Sequence, residues 1–147
     1  MKDASCENHL GQLSFLIGKW NTHGMTIAST DSPAVVISGT DIYEWGLGGQ
    51  FIVHTVAVQM GDEKVETAEY IGSEGPNAFI MYAFDNKGKV SMMMASLNQS
   101  GNLVIQGDGM RSVLQYSLDG HEMTAIWERS EGNSAWKPWM TMNFNKE

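Results

Sequence analysis

Four histidines carry most of the acid–base chemistry open to this chain of 147 residues. His9 lies in the N-terminal segment and His121 beside a turn, both solvated positions, whereas His23 and His54 fall inside apolar runs. An imidazole titrates near neutrality, which makes an inward-facing histidine the first candidate for a general base. In QFIVHTVAVQM, Ile52, His54, Val56 and Val58 alternate with Phe51, Val53, Thr55 and Ala57. Both sets are apolar, so alternation alone leaves the inward face open. His54 is either a base facing a pocket or a hydrogen-bonded wall residue. The run AVVISGTDIYEW poses the same question for carboxylates, because one set ends in Glu44 and the other holds Asp41. A carboxylate facing an apolar pocket has its pKa raised and can act as acid or base; at a rim it would pair with an arginine such as Arg111. Glu69 and Tyr70 are neighbours in a strand-like run, so they cannot both line one pocket.

Other chemistry is poorly represented. No His-x-x-x-His, His-x-His or Cys-x-x-Cys spacing occurs, and zinc needs three or four convergent ligands. Asp85-Asn86-Lys87-Gly88 starts like a calcium loop but lacks the later acidic ligands. Gly46-Leu47-Gly48-Gly49 has no following helix to hold a phosphate, and no Gly-x-Ser-x-Gly elbow is present. No metal site is expected. The eleven methionines are a richer signal. Thioethers spread over many runs suit either plain core packing or a lumen that adapts to varied apolar guests. With aromatic walls from Tyr82 and Trp127, the expected ligand contacts are His54, Tyr82, Met92, Met94, Trp127 and Met140.

Composition narrows the partners. Hydrophobic residues make up 42%, aromatic residues 10% and charged residues 18%, against a net charge of −8. That acidity disfavours phosphate backbones and anionic lipid surfaces, so neither nucleic acid nor membrane is an expected partner. The lone Cys6 cannot close an internal disulfide, and the first residues lack the pattern of a secretion signal, so a cytoplasmic protein is expected. The length suits a single domain, 1–147.

The elements that must position these residues are short and β-like. Approximate strands run over 19–29, 34–45, 50–60, 63–72, 77–84, 89–97, 102–107, 110–118, 121–129 and 135–144. Asp85-Asn86-Lys87-Gly88, Gln99-Ser100-Gly101, Leu118-Asp119-Gly120 and Glu131-Gly132-Asn133 supply Gly or Asn where hairpins need positive φ. Tight hairpins force antiparallel neighbours, and a meander of ten twisted strands tends to close. The predicted fold is therefore all-β: an up-and-down antiparallel barrel of about ten strands. A short helix over 5–16, with Leu10, Leu13 and Leu16 on one stripe, plugs one end. Pro138 cannot donate to a ladder and marks a bulge or a strand start.

Gly18-Lys19-Trp20, at the end of FLIGKW, resembles the Gly-x-Trp signature of calycins, the superfamily of lipocalins and fatty-acid-binding proteins. Tyr43-Glu44-Trp45 with Leu47-Gly48-Gly49-Gln50-Phe51, then Glu69-Tyr70-Ile71-Gly72 and Tyr82-Ala83-Phe84-Asp85-Asn86-Lys87-Gly88, is similar to the motif series of a bacterial calycin-like family, domain of unknown function 1579, and distantly to nitrobindin-type barrels. The resemblance spans roughly residues 13–145. Gln50 stands where that family has a basic residue, and Ala83 where it has an aromatic. The resemblance implies a structural signature of Gly18, Trp20, Glu44, Gly48 and Gly49, with a basic side chain, Arg129 or Lys146, over the Trp20 ring. It implies that the helix closes the Trp20 end, that Glu44 lies near that floor as partner of the basic group, and that His54 sits at mid-height facing a guest. Nitrobindin-type barrels hold heme through a histidine near the C-terminal strands; residues 134–147 have none, so no cofactor is expected, a heme held through His54 or His23 being the alternative.

These readings favour a binding protein for a small, mostly apolar or aromatic molecule held in the lumen, as monomer or homodimer. The alternatives are a cofactor-free cyclase, isomerase or lyase with His54 as base, and an interaction module. On this reading His54→Ala should alter binding with little loss of stability. Glu44→Ala should destabilise by about 1–3 kcal/mol, by leaving its partner unpaired.

Overall fold

A computed structural model describes residues 8–130, 132 and 135–147; Cys6, the start of the expected helix and two residues of the 131–133 turn lie outside them. Ten strands form one closed barrel: β1 Gly18–Thr26, β2 Val36–Gly46, β3 Phe51–Met60, β4 Glu63–Gly75, β5 Ala78–Asp85, β6 Val90–Leu97, β7 Leu103–Gly107, β8 Met110–Tyr116, β9 Glu122–Arg129 and β10 Lys137–Lys146. Every strand pairs antiparallel with its sequence neighbours, and β1 pairs with β10 to close the ring. The expected all-β barrel is therefore the observed one. Among the described residues no helix is long and apolar enough to cross a membrane.

The turns set the register. Gly61, at φ 60°, and Asp62 join β3 to β4, so that Met60 faces Glu63. The β2–β3 turn runs through Leu47, Gly48 and Gly49, all with positive φ, and puts Gly46 opposite Phe51. The register of β10 against β9 shifts between Pro138 and Met140, a bulge of the kind proline demands.

The helix is a 3-10 turn over Leu10–Leu16. A repeat of three residues per turn stacks Leu10, Leu13 and Leu16 on one face, and all three are fully buried. Side chains pin it across one barrel end. Gln12 Nε2 donates to Asn77 Oδ1 at 2.8 Å, Asn77 N donates to Gln12 Oε1 at 2.9 Å, and Phe15 stacks on Tyr116 with centroids 4.1 Å apart.

The floor is built around Trp20, which is fully buried and donates from Nε1 to the Leu16 carbonyl at 2.8 Å. Lys146 is the cation over its ring, with Nζ 5.3 Å from the centroid. Gly18, at φ 140°, lets the chain pass beneath that lysine, since a Cβ there would meet Lys146 Cε at 2.6 Å. Arg129 instead lies at the opposite end, its guanidinium 3.5 Å over Trp139.

Glu44 departs from expectation. It is exposed on β2, while Asp41 and Tyr43 of the same strand are buried, so it is no partner for the floor lysine. The strand's alternation has the opposite parity from the one the expectation needed. Glu44→Ala is accordingly expected to change stability by less than about 0.5 kcal/mol in a urea melt. A loss above about 1 kcal/mol would return Glu44 to the floor.

Candidate functional site

Alternation along each strand sends one set of side chains into the barrel. From β3 it sends Ile52, His54, Val56 and Val58; from β2, Asp41 and Tyr43; from β4, Thr67 and Glu69. The ladder then brings three of them into one rung, because Tyr43 lies opposite His54 and His54 opposite Glu69. The Tyr43 ring stacks on the imidazole, with centroids 3.9 Å apart and planes 9° apart. Asp41, two residues along β2 from Tyr43, reaches His54 diagonally.

A hydrogen-bonded chain results. His54 Nε2 lies 2.7 Å from Asp41 Oδ2, and Nδ1 lies 2.9 Å from Glu69 Oε1. Thr22 of β1 donates its hydroxyl to the other Asp41 oxygen at 2.5 Å. Side-chain exposure is 12% for His54, 7% for Asp41 and 15% for Glu69, so these charges are largely withdrawn from water. Two carboxylates can both accept from one imidazole only if both ring nitrogens carry protons, which makes His54 an imidazolium. Burial alone would lower its pKa. The hydrogen bonds to Asp41 and Glu69 and the charges of both carboxylates outweigh burial and raise it to about 9. Burial, reinforced by the charges of Asp41 and Glu69, raises the Tyr43 pKa and keeps its hydroxyl protonated.

This geometry changes the role open to His54. A doubly donating imidazolium has no lone pair with which to take a proton, so it is not the base expected from the sequence. The carboxylates are the groups that keep accepting capacity. Glu69 Oε2 has no hydrogen-bond partner among the described residues.

Stability should follow the His54 proton. A pKa raised from 6.5 to about 9 on folding gives stabilisation that is complete below pH 6.5 and lost as pH rises through 9. The shift corresponds to about 3 kcal/mol at most. Urea unfolding at pH 6 and pH 9.5 should show most of that loss in wild type and little in His54→Leu. Equal slopes in both proteins would mean that His54 does not carry it.

The cavity around the cluster measures about 340 Å³. Leu16 of the helix forms part of its floor. Its far wall is apolar, with Met81, Met93, Leu114, Trp127, Met140 and Phe144 among the lining residues. Trp139 lines it as well as a second groove shared with the β1–β2 loop, Arg129 and Lys137. Ser112 of β8 lines the same cavity, and its buried Oγ has no hydrogen-bond partner among the described residues.

Of the ligand contacts expected from the sequence, His54, Trp127 and Met140 face this cavity. Tyr82, Met92 and Met94 do not. They are 46%, 46% and 42% exposed on the outer face, and their neighbours Met81 and Met93 face inward instead. The outer surface of β4–β6 is itself apolar, with Tyr70, Tyr82 and Met92 paired in one rung, so hydrophobicity did not mark the inner side. Asp41, which the sequence offered as the alternative to Glu44, and Glu69, which it gave no role, are the site residues missing from the expected set. Counting back from the two-residue Gly61–Asp62 turn places His54 opposite Glu69 and was the available signal. Among the described residues no cluster of His, Cys, Asp and Glu fit for a metal is present.

No protein-family model and no curated protein matches the sequence. Solved structures do resemble the fold. Rv2717c from M. tuberculosis superposes with a TM-score of 0.73 at 12% identity, covering 94% of this chain and 96% of its own. The S-type phycobiliprotein lyase CPES from Guillardia theta superposes with a TM-score of 0.68 at 5% identity, covering 96% of this chain and 93% of its own. At such identities the likeness concerns architecture alone, a closed ten-stranded antiparallel barrel.

Proposed function

We propose that this barrel binds a small, mostly apolar molecule in its lumen. One observation carries the reading: a cavity of about 340 Å³, walled largely by aliphatic, thioether and aromatic side chains, with its polar groups gathered on β1–β4 apart from Ser112 on β8. A pocket of that size, apolar with sparse polar anchors, is typical of small-ligand sites. Kinship with the bacterial barrel family of unknown function 1579 is part of the same proposal and rests on the order of the motifs alone. Native mass spectrometry of gently purified protein should reveal a bound mass. Titration with a panel of lipids and aromatic compounds should quench tryptophan fluorescence saturably, and Trp127→Phe should reduce the response. Silence by both methods across the panel would overturn the reading.

A second reading, a cofactor-free lyase or isomerase, is favoured by the charged cluster facing an apolar chamber, and by analogy of fold with the phycobiliprotein lyase. In it Glu69 rather than His54 would accept the proton, with His54 holding the carboxylate in place. Consumption of a metabolite by wild type and not by Glu69→Gln would support it; identical metabolite profiles would remove it.

A further inference from the structure

The charged groups lining the lumen are Asp41, His54 and Glu69, and together they carry one net negative charge. The single cation among them is already committed. Both of its N–H groups point at the two carboxylates, so it has none left to offer an incoming anion. What remains unpartnered has a definite character. Glu69 Oε2 and the Tyr43 hydroxyl have no hydrogen-bond partner among the described residues, and they flank His54 in the same rung. Both can accept a hydrogen bond, and one carries charge. On β8, five strands round the ring from β3, Ser112 Oγ lines the same space unpartnered.

We propose that the lumen selects ligands whose buried end is a cationic or strongly N–H-donating group, such as an amine or amidine on an apolar body, and rejects the carboxylic acid of the same shape. The inference rests on the lumen-binding reading and adds the ligand's chemical class. An ammonium seated at Glu69 brings the cavity to net neutrality and supplies the donor that Oε2 lacks. A carboxylate would be desolvated beside two carboxylates, with no free cation to meet it. Ser112 aside, the far wall is apolar, and beyond this cluster the lining carries no charge among the described residues, so discrimination by charge comes from here.

Calorimetry with three probes on one naphthalene ring tests the idea: 1-naphthylmethylamine, 1-naphthylmethanol and 1-naphthoate at pH 7. The amine should bind at least about tenfold more tightly than the alcohol, with the carboxylate weakest, as expected for a charge-assisted bond in a desolvated site. Glu69→Gln should bring the amine-to-alcohol ratio close to one, and Tyr43→Phe should lower amine affinity a few-fold. Thermal melts report whether each variant is folded, and the wild-type comparison requires no variant. Binding of all three with equal affinity, or preference for the carboxylate, overturns the selectivity while leaving a ligand-binding lumen in place. Binding of none, together with silence across the wider panel, overturns both.

Discussion

His54→Leu should lose about 3–5 kcal/mol of folding stability, because it strands the largely buried Asp41 and Glu69 carboxylates without the cation that bridges them. The imidazolium is held on both edges and on one face, by the two carboxylates and the Tyr43 ring. Removing it deletes two charge-assisted hydrogen bonds at once. The sequence alone suggested a mild effect on stability, on the view that His54 contacts only a guest; the bridging geometry reverses that expectation. The cost comes from the abandoned charges more than from the lost contacts, and this can be isolated. Asp41→Asn and Glu69→Gln placed together in the His54→Leu background should recover most of the loss, since neutral amides are far cheaper to bury. Urea denaturation of the single, double and triple variants gives the cycle. A single variant within about 1 kcal/mol of wild type would show that the bridge contributes little.

Trp20→Ala should cost about 3–5 kcal/mol, the usual range for emptying a large aromatic site in a close-packed floor. Its indole fills the end of the barrel beneath the helix, and its N–H closes onto the Leu16 carbonyl. Graded variants separate the contributions. Trp20→Phe keeps much of the volume but leaves that carbonyl without its donor, a loss of about 1–2 kcal/mol. Lys146→Met removes the cation above the ring and should cost up to about 1 kcal/mol. Denaturant midpoints in that rank order would establish Trp20 as the keystone of the closed end. A Trp20→Ala protein as stable as Lys146→Met would contradict the described packing.

The architecture was legible because its signals are local. Turn residues separated all ten runs, with Gly or Asn in every connection except the Ser- and Pro-bearing one between β1 and β2, and strand bounds came out within a few residues at each end. The Leu10, Leu13, Leu16 spacing foretold a short helix, and the structure adds that it winds as a 3-10 helix over Leu10–Leu16. Facing was harder. Strands β3, β5 and β6 carry apolar side chains on both faces, and a parity read from hydrophobicity alone put Tyr82, Met92 and Met94 inside when they are outside. The joint role of Asp41 and Glu69 around His54 was hidden for a different reason. Each is an ordinary polar residue in its own strand, and its meaning exists only across the ladder, where His54 meets both. Register, set by turns a handful of residues away, carried that information.

The ring closes through its first and last strands, with Trp20 beside Lys146 at opposite ends of the sequence. A chain emerging from the ribosome can form the β2–β4 hairpins, and with them the His54 cluster, soon after they appear. It cannot finish the barrel until β10 is made. Until then β1 and β9 are both bare edges, and the methionine- and aromatic-lined interior lies open as one face of a sheet. Such distant closure makes folding slow and late in synthesis. Fragments that stop short of residue 137 should therefore accumulate with chaperones or in aggregates rather than as soluble partial barrels.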